Sequence, residues 1–201
     1  MNKYISIFFC VQIIALNLFA MQPKVTPVDY VRPQIDTHKS RWFFFSSASR
    51  PFGMVSLSPD TWTEGSWNSG YLYNSKEIRC FSHVHCWQLA GVPVMPTTGE
   101  VKGHKGMDAY KSTYSHETEI VKPGYHKVEL DTYQIRVELT STSRVGMHRY
   151  TYPAGEKANV LFDVGALLAH GKTEKAAIHR ISSKEIGGYS VLAPTSRRKK
   201  P

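Results

Sequence analysis

The chain has 201 residues, 41% of them hydrophobic and 12% aromatic, with three cysteines and a formal charge of +9. This is enough apolar material to bury the core of one domain. The charge does not make it a nucleic-acid binder. Lys3 supplies one unit and Arg197, Arg198, Lys199 and Lys200 four more, which leaves about +4 on the body, and a basic terminal run without a binding motif reads as a solvated tail or linker.

Residues 1–20 combine a basic start at Lys3, an apolar run from Tyr4 to Leu16 and the small residue Ala20. That is the pattern of a secretory signal peptide, and the run is too short for a stable membrane span. Cys10 lacks the small residues that precede a lipidated cysteine. The mature chain is expected to start near Met21 or Gln22 and to work outside the cytoplasm, secreted or periplasmic. Further on, Gly53 is expected to permit a tight turn and Phe52 to enter the core.

Histidines, cysteines, tryptophans and tyrosines crowd into residues 67–96. Isoleucine, phenylalanine, valine and tryptophan across residues 78–87 predict an extended strand, whose side chains alternate between faces. Cys80, Ser82, Val84 and Cys86 would then share one face, and Phe81, His83, His85 and Trp87 the other. Cys80, His83, His85 and Cys86 are four potential zinc donors, but a tetrahedral site requires all four to converge and the paired C-x2-C knuckle is absent. The alternative is a saccharide surface, in which aromatic faces stack on a sugar ring while His, Asn and Ser exchange hydrogen bonds with hydroxyls. Trp67, Tyr71, Tyr73, His83, His85 and Trp87 have that chemistry, as do ordinary aromatic strands that pack a core. Cys80 and Cys86 read as free buried thiols, with a disulfide open to them in an oxidising compartment only if the chain turns between them.

Beyond this stretch the pattern is β-rich. Strands are predicted at residues 117–122, 125–130, 134–139, 145–151, 160–164, 177–182 and 189–192. Pro123-Gly124 breaks the first pair, and Asp131-Thr132-Tyr133 connects the second. Arg144, His148 and Arg149 are expected to line a sheet face. Short strands punctuated by turn signals predict an all-β fold of antiparallel sheets packed face to face. The acids Asp60, Glu64, Glu77, Asp131, Glu138 and Asp163 include no pair with acid–base spacing, and each reads as a turn, cap or exposed strand residue. No catalytic residue is assigned.

Several motifs recur in a characteristic order: R-P-F-G-M-V-x-L-S-P-D-T at residues 50–61, G-Y-x-Y at 70–73, F-S-H-x-H at 81–85, L-A-G-x-x-x-M-P at 89–96, P-G-Y at 123–125, E-L-T-x-T-x-R-V-G-x-H-R-Y at 138–150 and N-V-L-x-D at 159–163. The series resembles the N-terminal domain of glycoside hydrolase family 92, exo-acting α-mannosidases of bacteria and some fungi. Two departures mark a divergent branch. Residues 36–47 read D-T-H-K-S-R-W-F-F-F-S-S where many members carry a G-T-G segment, and Cys80 and C-W-Q-L-A-G flank the histidine motif in place of G and L-S-G.

The resemblance implies a large antiparallel β-sandwich of the galactose-mutarotase-like, supersandwich type. Residues 1–20 would be the signal peptide and 21–201 a partial N-terminal sandwich, incomplete at its C-terminus because similar proteins continue with further strands. It also implies an inverting, calcium-dependent enzyme acting on mannose-containing glycans such as glycoprotein N-glycans. The acid, the base and the calcium ligands of that enzyme would lie in a missing (α/α)6 barrel, leaving no metal or cofactor in this chain. The sandwich would lend loops to the sugar pocket, with Trp67, Asn68, Tyr71, His83, His85 and Trp87 as the substrate-binding candidates. A free-standing lectin-like module that binds mannosides without turnover is the alternative from a different class.

Overall fold

The computed structural model describes residues 25–38, 48–64, 70–85, 89–166, 168 and 172–193. Trp67, Asn68, Cys86 and Trp87 lie outside the described residues, as does the expected signal peptide. The chain divides into two compact units, Met1–Val31 and Arg32–Pro201. In the first, the single turn of 3-10 helix at Pro27–Tyr30 is closed by Asp29, whose carboxylate accepts hydrogen bonds from the amide and hydroxyl of Thr26.

The second unit is all-β, and no α-helix occurs among the described residues. Its strands are Ala48–Ser49 (β1), Ser56–Asp60 (β2), Glu77–Ile78 (β3), Cys80–Ser82 (β4), Val84–His85 (β5), Leu89–Ala90 (β6), Val94–Thr98 (β7), Ser112–Thr113 (β8), Ile120–Lys122 (β9), Tyr125–Leu130 (β10), Ile135–Ser141 (β11), Gly146–Thr151 (β12), Ala158–Phe162 (β13), Thr173–Arg180 (β14) and Ile186–Leu192 (β15). Two sheets dominate, one of five strands in the order β1-β2-β4-β7-β13 and one of four in the order β12-β11-β10-β9. All pairings are antiparallel.

The four-stranded sheet follows directly from its residue pattern. In β10 and β11 every second side chain is buried: His126, Val128 and Leu130 on one strand, Ile135, Val137 and Leu139 on the next. The register Leu130↔Ile135 through Tyr125↔Thr140 puts those buried side chains on one face, because partners across an antiparallel ladder point the same way. The predicted hairpin is therefore present, turned over Asp131 to Gln134, with Gln134 in the left-handed region at φ 53°. The β9–β10 turn uses Pro123 followed by Gly124 at φ 76°, the residue order that a type II turn favours.

From the five-stranded sheet, Leu57, Phe81 and Met95 meet Val128, Leu130, Ile135, Val137 and Leu139 in one core. Two antiparallel sheets packed face to face are the sandwich that the turn-and-strand pattern predicts. Each fully buried Leu, Ile or Phe contributes about 1.5–3 kcal/mol relative to exposure.

Three expectations are corrected. Phe52 does not enter the core: it takes φ 60° and its ring is fully exposed. The turn expected at Gly53 is present, closed by its amide on the Arg50 carbonyl, from which a Cβ at this position would stand a tight 3.1 Å. The continuous strand over residues 78–87 is broken twice. Arg79 separates β3, which pairs with β8, from β4, which pairs with β2 and β7, and a bend at His83 separates β4 from β5. Residues 116–118 form a turn, so only Ile120–Lys122 of the predicted strand 117–122 is extended.

Candidate functional site

The outward face of the five-stranded sheet is polar yet buried. Ser58 pairs with Ser82 and Asp60 with Cys80 across β2 and β4, so these side chains stand on one face, and all four are inaccessible. The bend at His83 folds His85 back onto them. His85 Nε2 lies 2.6 Å from Asp60 Oδ1 and 3.4 Å from Ser82 Oγ, and its Nδ1 lies 2.5 Å from the Ser56 carbonyl. The Cys80 thiol donates to Asp60 Oδ2 at 3.4 Å. Burial, then the neighbouring Asp60 carboxylate, push the Cys80 thiol well above its ordinary pKa, which keeps it an unreactive thiol. Asp60 is thus the centre of a buried network, not the turn or exposed residue its position suggests.

Beside this network lies a cleft of about 440 Å³, with Thr63, Glu64, Arg79, His104, Asp108 and Asp163 among its walls. Arg79 is the strand-breaking residue between β3 and β4, and the break aims its guanidinium out of both ladders. The guanidinium sits over the Trp62 ring, 4.9 Å from its centroid, and lies 3.5 Å from Glu64 and 3.4 Å from Asp108. On the far wall, Asp163 accepts the Tyr110 hydroxyl at 2.8 Å and the Gly165 amide at 3.2 Å. Gly103 also lines the cleft, with the Leu161 side chain packed close enough that a Cβ there would displace its terminal methyl.

Tyr71 and His83 take part in two further networks. Tyr71 is fully buried and its hydroxyl donates to Glu119 at 2.8 Å; Gln34, His116 and His126 converge on the same carboxylate at 3.1, 2.6 and 2.8 Å. Burial alone would raise the Glu119 pKa, but the hydrogen bonds and charge of His126, with the bonds from His116 and Tyr71, outweigh it and bring it below the ordinary value. Half-buried His83 has its Nε2 2.9 Å from that of His148, whose Nδ1 is 2.7 Å from the Tyr150 hydroxyl. Desolvation, reinforced by His83, lowers the His148 pKa to about 3, and burial lowers that of His83 as well.

Tyr71, His83 and His85 therefore belong to three separate hydrogen-bond networks. Trp67 and Asn68 fall in a segment whose described flanks are Glu64, on the cleft wall, and Gly70, paired with Trp62. Sequence reasoning missed Arg79, Asp108 and Glu119. Most of the contacts that give them their roles are distant in sequence: Arg79 meets Glu64 and Asp108, 15 and 29 positions away, and Glu119 meets Gln34 and Tyr71, 85 and 48 positions away, although Lys111 and His116 stand only three positions from Asp108 and Glu119. Among the described residues no group of three or more His, Cys, Asp or Glu side chains is arranged to hold a metal. The cleft does not fit calcium, which takes six to eight oxygens, because Glu64 and Asp108 face a guanidinium.

A two-sheet sandwich with a polar cleft outside one sheet is a scaffold class suited to presenting a binding surface. The glycosyl hydrolase family 92 N-terminal domain model matches residues 30–200, and the chain belongs to that family. It is similar to a family GH92 alpha-mannosidase from Bacteroides thetaiotaomicron solved in complex with mannoimidazole, at 34% identity and a TM-score of 0.74, over 82% of this chain and 23% of that one. A family GH92 inverting mannosidase from Bacteroides thetaiotaomicron VPI-5482 aligns at 25% identity and a TM-score of 0.67, over 83% and 22%. A further family glycosyl hydrolase, 19% identical with a TM-score of 0.65, shares the fold. The chain spans about a quarter of the length of these solved structures. No curated protein sequence matches it.

Proposed function

We propose that this chain is the N-terminal sandwich of a secreted exo-α-mannosidase acting on mannose-containing glycans, N-glycans of glycoproteins among them. It shapes and shelters the saccharide cleft, while calcium, general acid and general base belong to an (α/α)6 barrel. The observation that carries this reading is the 34% identity over 82% of the chain with an alpha-mannosidase solved with mannoimidazole.

The chemistry agrees. An inverting glycosidase uses two carboxyl groups about 6.5–9.5 Å apart, one protonated and one positioned to activate water. Around the cleft, by contrast, the carboxylates are engaged with Arg79 or with the Tyr110 hydroxyl. Trp67, Asn68 and Trp87 remain the sugar-stacking and hydrogen-bonding candidates in this reading, together with Tyr71, His83 and His85. Residues 1–20 direct secretion.

Calorimetry of the chain with mannobiose, paired with a mannose-release assay, tests the proposal. No mannose release is expected from this chain alone; release would overturn the assignment of the chemistry to the barrel. Micromolar binding without turnover would instead favour a lectin-like module. N-terminal sequencing of exported protein is expected to begin at Met21 or Gln22.

A further inference from the structure

We propose that the cleft beside Arg79 selects an uncharged hexose and rejects phosphorylated or sulfated ones. Taking mannose as the hexose rests on the reading above; the charge selectivity rests on the cleft itself.

Arg79 presents a planar fork of N–H donors whose side chain is only 12% exposed and which stacks on Trp62. Its two ion pairs, at 3.5 and 3.4 Å, are longer than the roughly 2.7–2.9 Å of a charge-assisted hydrogen bond. The partner carboxylates face solvent: Glu64 is 57% exposed and Asp108 73%. The fork therefore holds donors in reserve, and two acceptors flank it. A vicinal diol satisfies both at once, since each hydroxyl accepts an N–H from the guanidinium and donates its own proton to a carboxylate. The cleft volume of about 440 Å³ is within the range of small-molecule sites, roughly 300–1,000 Å³.

A phosphate or sulfate group has little or nothing to donate, and it would meet three carboxylates, Glu64, Asp108 and Asp163, against one guanidinium. Lys111 bonds Asp108 at 3.3 Å and Glu77 at 2.9 Å, so counting it with both partners sets four carboxylates against two cations and leaves the surroundings net negative. His104 also lines the cleft. Like charges brought together act chiefly as discrimination against the wrong partner.

The experiment is amide NMR of the full chain, titrated with methyl α-mannoside and, separately, with mannose 6-phosphate. The mannoside is expected to shift the amides of Arg79, Gly103 and Gly106, with the phosphorylated sugar at least about tenfold weaker. Arg79→Met should abolish the mannoside shifts while the spectrum stays folded. If that variant does not fold, the exposed pair Glu64→Gln with Asp108→Asn still decides the matter, because it should narrow the gap between the two sugars. Equal or tighter binding of mannose 6-phosphate at these amides overturns the selectivity and leaves the mannoside reading standing. Shifts confined elsewhere, or none with either sugar, overturn the cleft assignment, whereas the reading of the chain as a sandwich without hydrolytic chemistry of its own is tested separately by mannose release.

Discussion

In the β10–β11 hairpin, Val128, Leu130, Ile135, Val137 and Leu139 are buried because they are apolar and alternate. On the outward face of β2 and β4, Ser58, Asp60, Cys80 and Ser82 are buried although three of the four are polar. The first region gains free energy in proportion to area removed from water, whichever apolar neighbour covers it. The second holds together only if each polar atom meets its own partner, since an unpaired buried group keeps its full desolvation cost. Removing one member should therefore harm the polar layer at least as much as a cavity harms the apolar one.

Asp60→Ala sets that rule its hardest trial. It strips the carboxylate from His85 and Cys80 inside a closed layer, and about 4 kcal/mol of unfolding free energy should be lost in urea titration. Leu139→Ala, a cavity in the core, should lose about 3 kcal/mol. If the cavity proves the costlier by a wide margin, the contrast between the two layers does not hold.

Glu119→Gln sharpens the comparison in a second polar network, with an expected loss of about 2 kcal/mol near neutral pH. Its pH dependence has a definite sign. The folded-state pKa of Glu119 lies below the ordinary 4.5, so its contribution is full above the unfolded value and is lost as pH falls through the folded one. The deficit of the variant against the parent should shrink on acidification below about pH 4.5.

His148 titrates in the reverse of the usual histidine sense. Its pKa is lowered from 6.5 to about 3, so the unfolded ring takes a proton first, and stability is full above pH 6.5 and declines from there toward pH 3. Circular dichroism melts of His148→Gln should show a flatter acid limb than the parent. The smallest effect is expected from Arg149→Ala, which removes a bidentate pair whose guanidinium is exposed while Glu138 is largely covered and should cost no more than about 1 kcal/mol in urea titration.

The hairpins were legible because a two-residue period and turn chemistry are local signals, and the register then has little choice. The strand over residues 78–87 was not legible in the same way. Its composition is that of a strand, but Arg79 and His83 are the points where the chain leaves one ladder for another, and nothing adjacent to them says so. Phe52 was misplaced for a related reason: apolarity predicts burial, whereas its left-handed backbone in the 50–53 turn puts the ring outside.

Family membership, the all-β class and the β9–β12 meander were all written in the one-dimensional order of residues, since short-range periodicity and ordered motifs survive without a third dimension. Which acids are buried, that Glu119 gathers Gln34, Tyr71, His116 and His126, and that Arg79 faces Glu64 and Asp108 over Trp62 were decided by folding. A side chain's partners there are chosen by spatial proximity, often between segments tens of residues apart, as Gln34 and Tyr71 are from Glu119, and desolvation then sets how strongly each pairing counts.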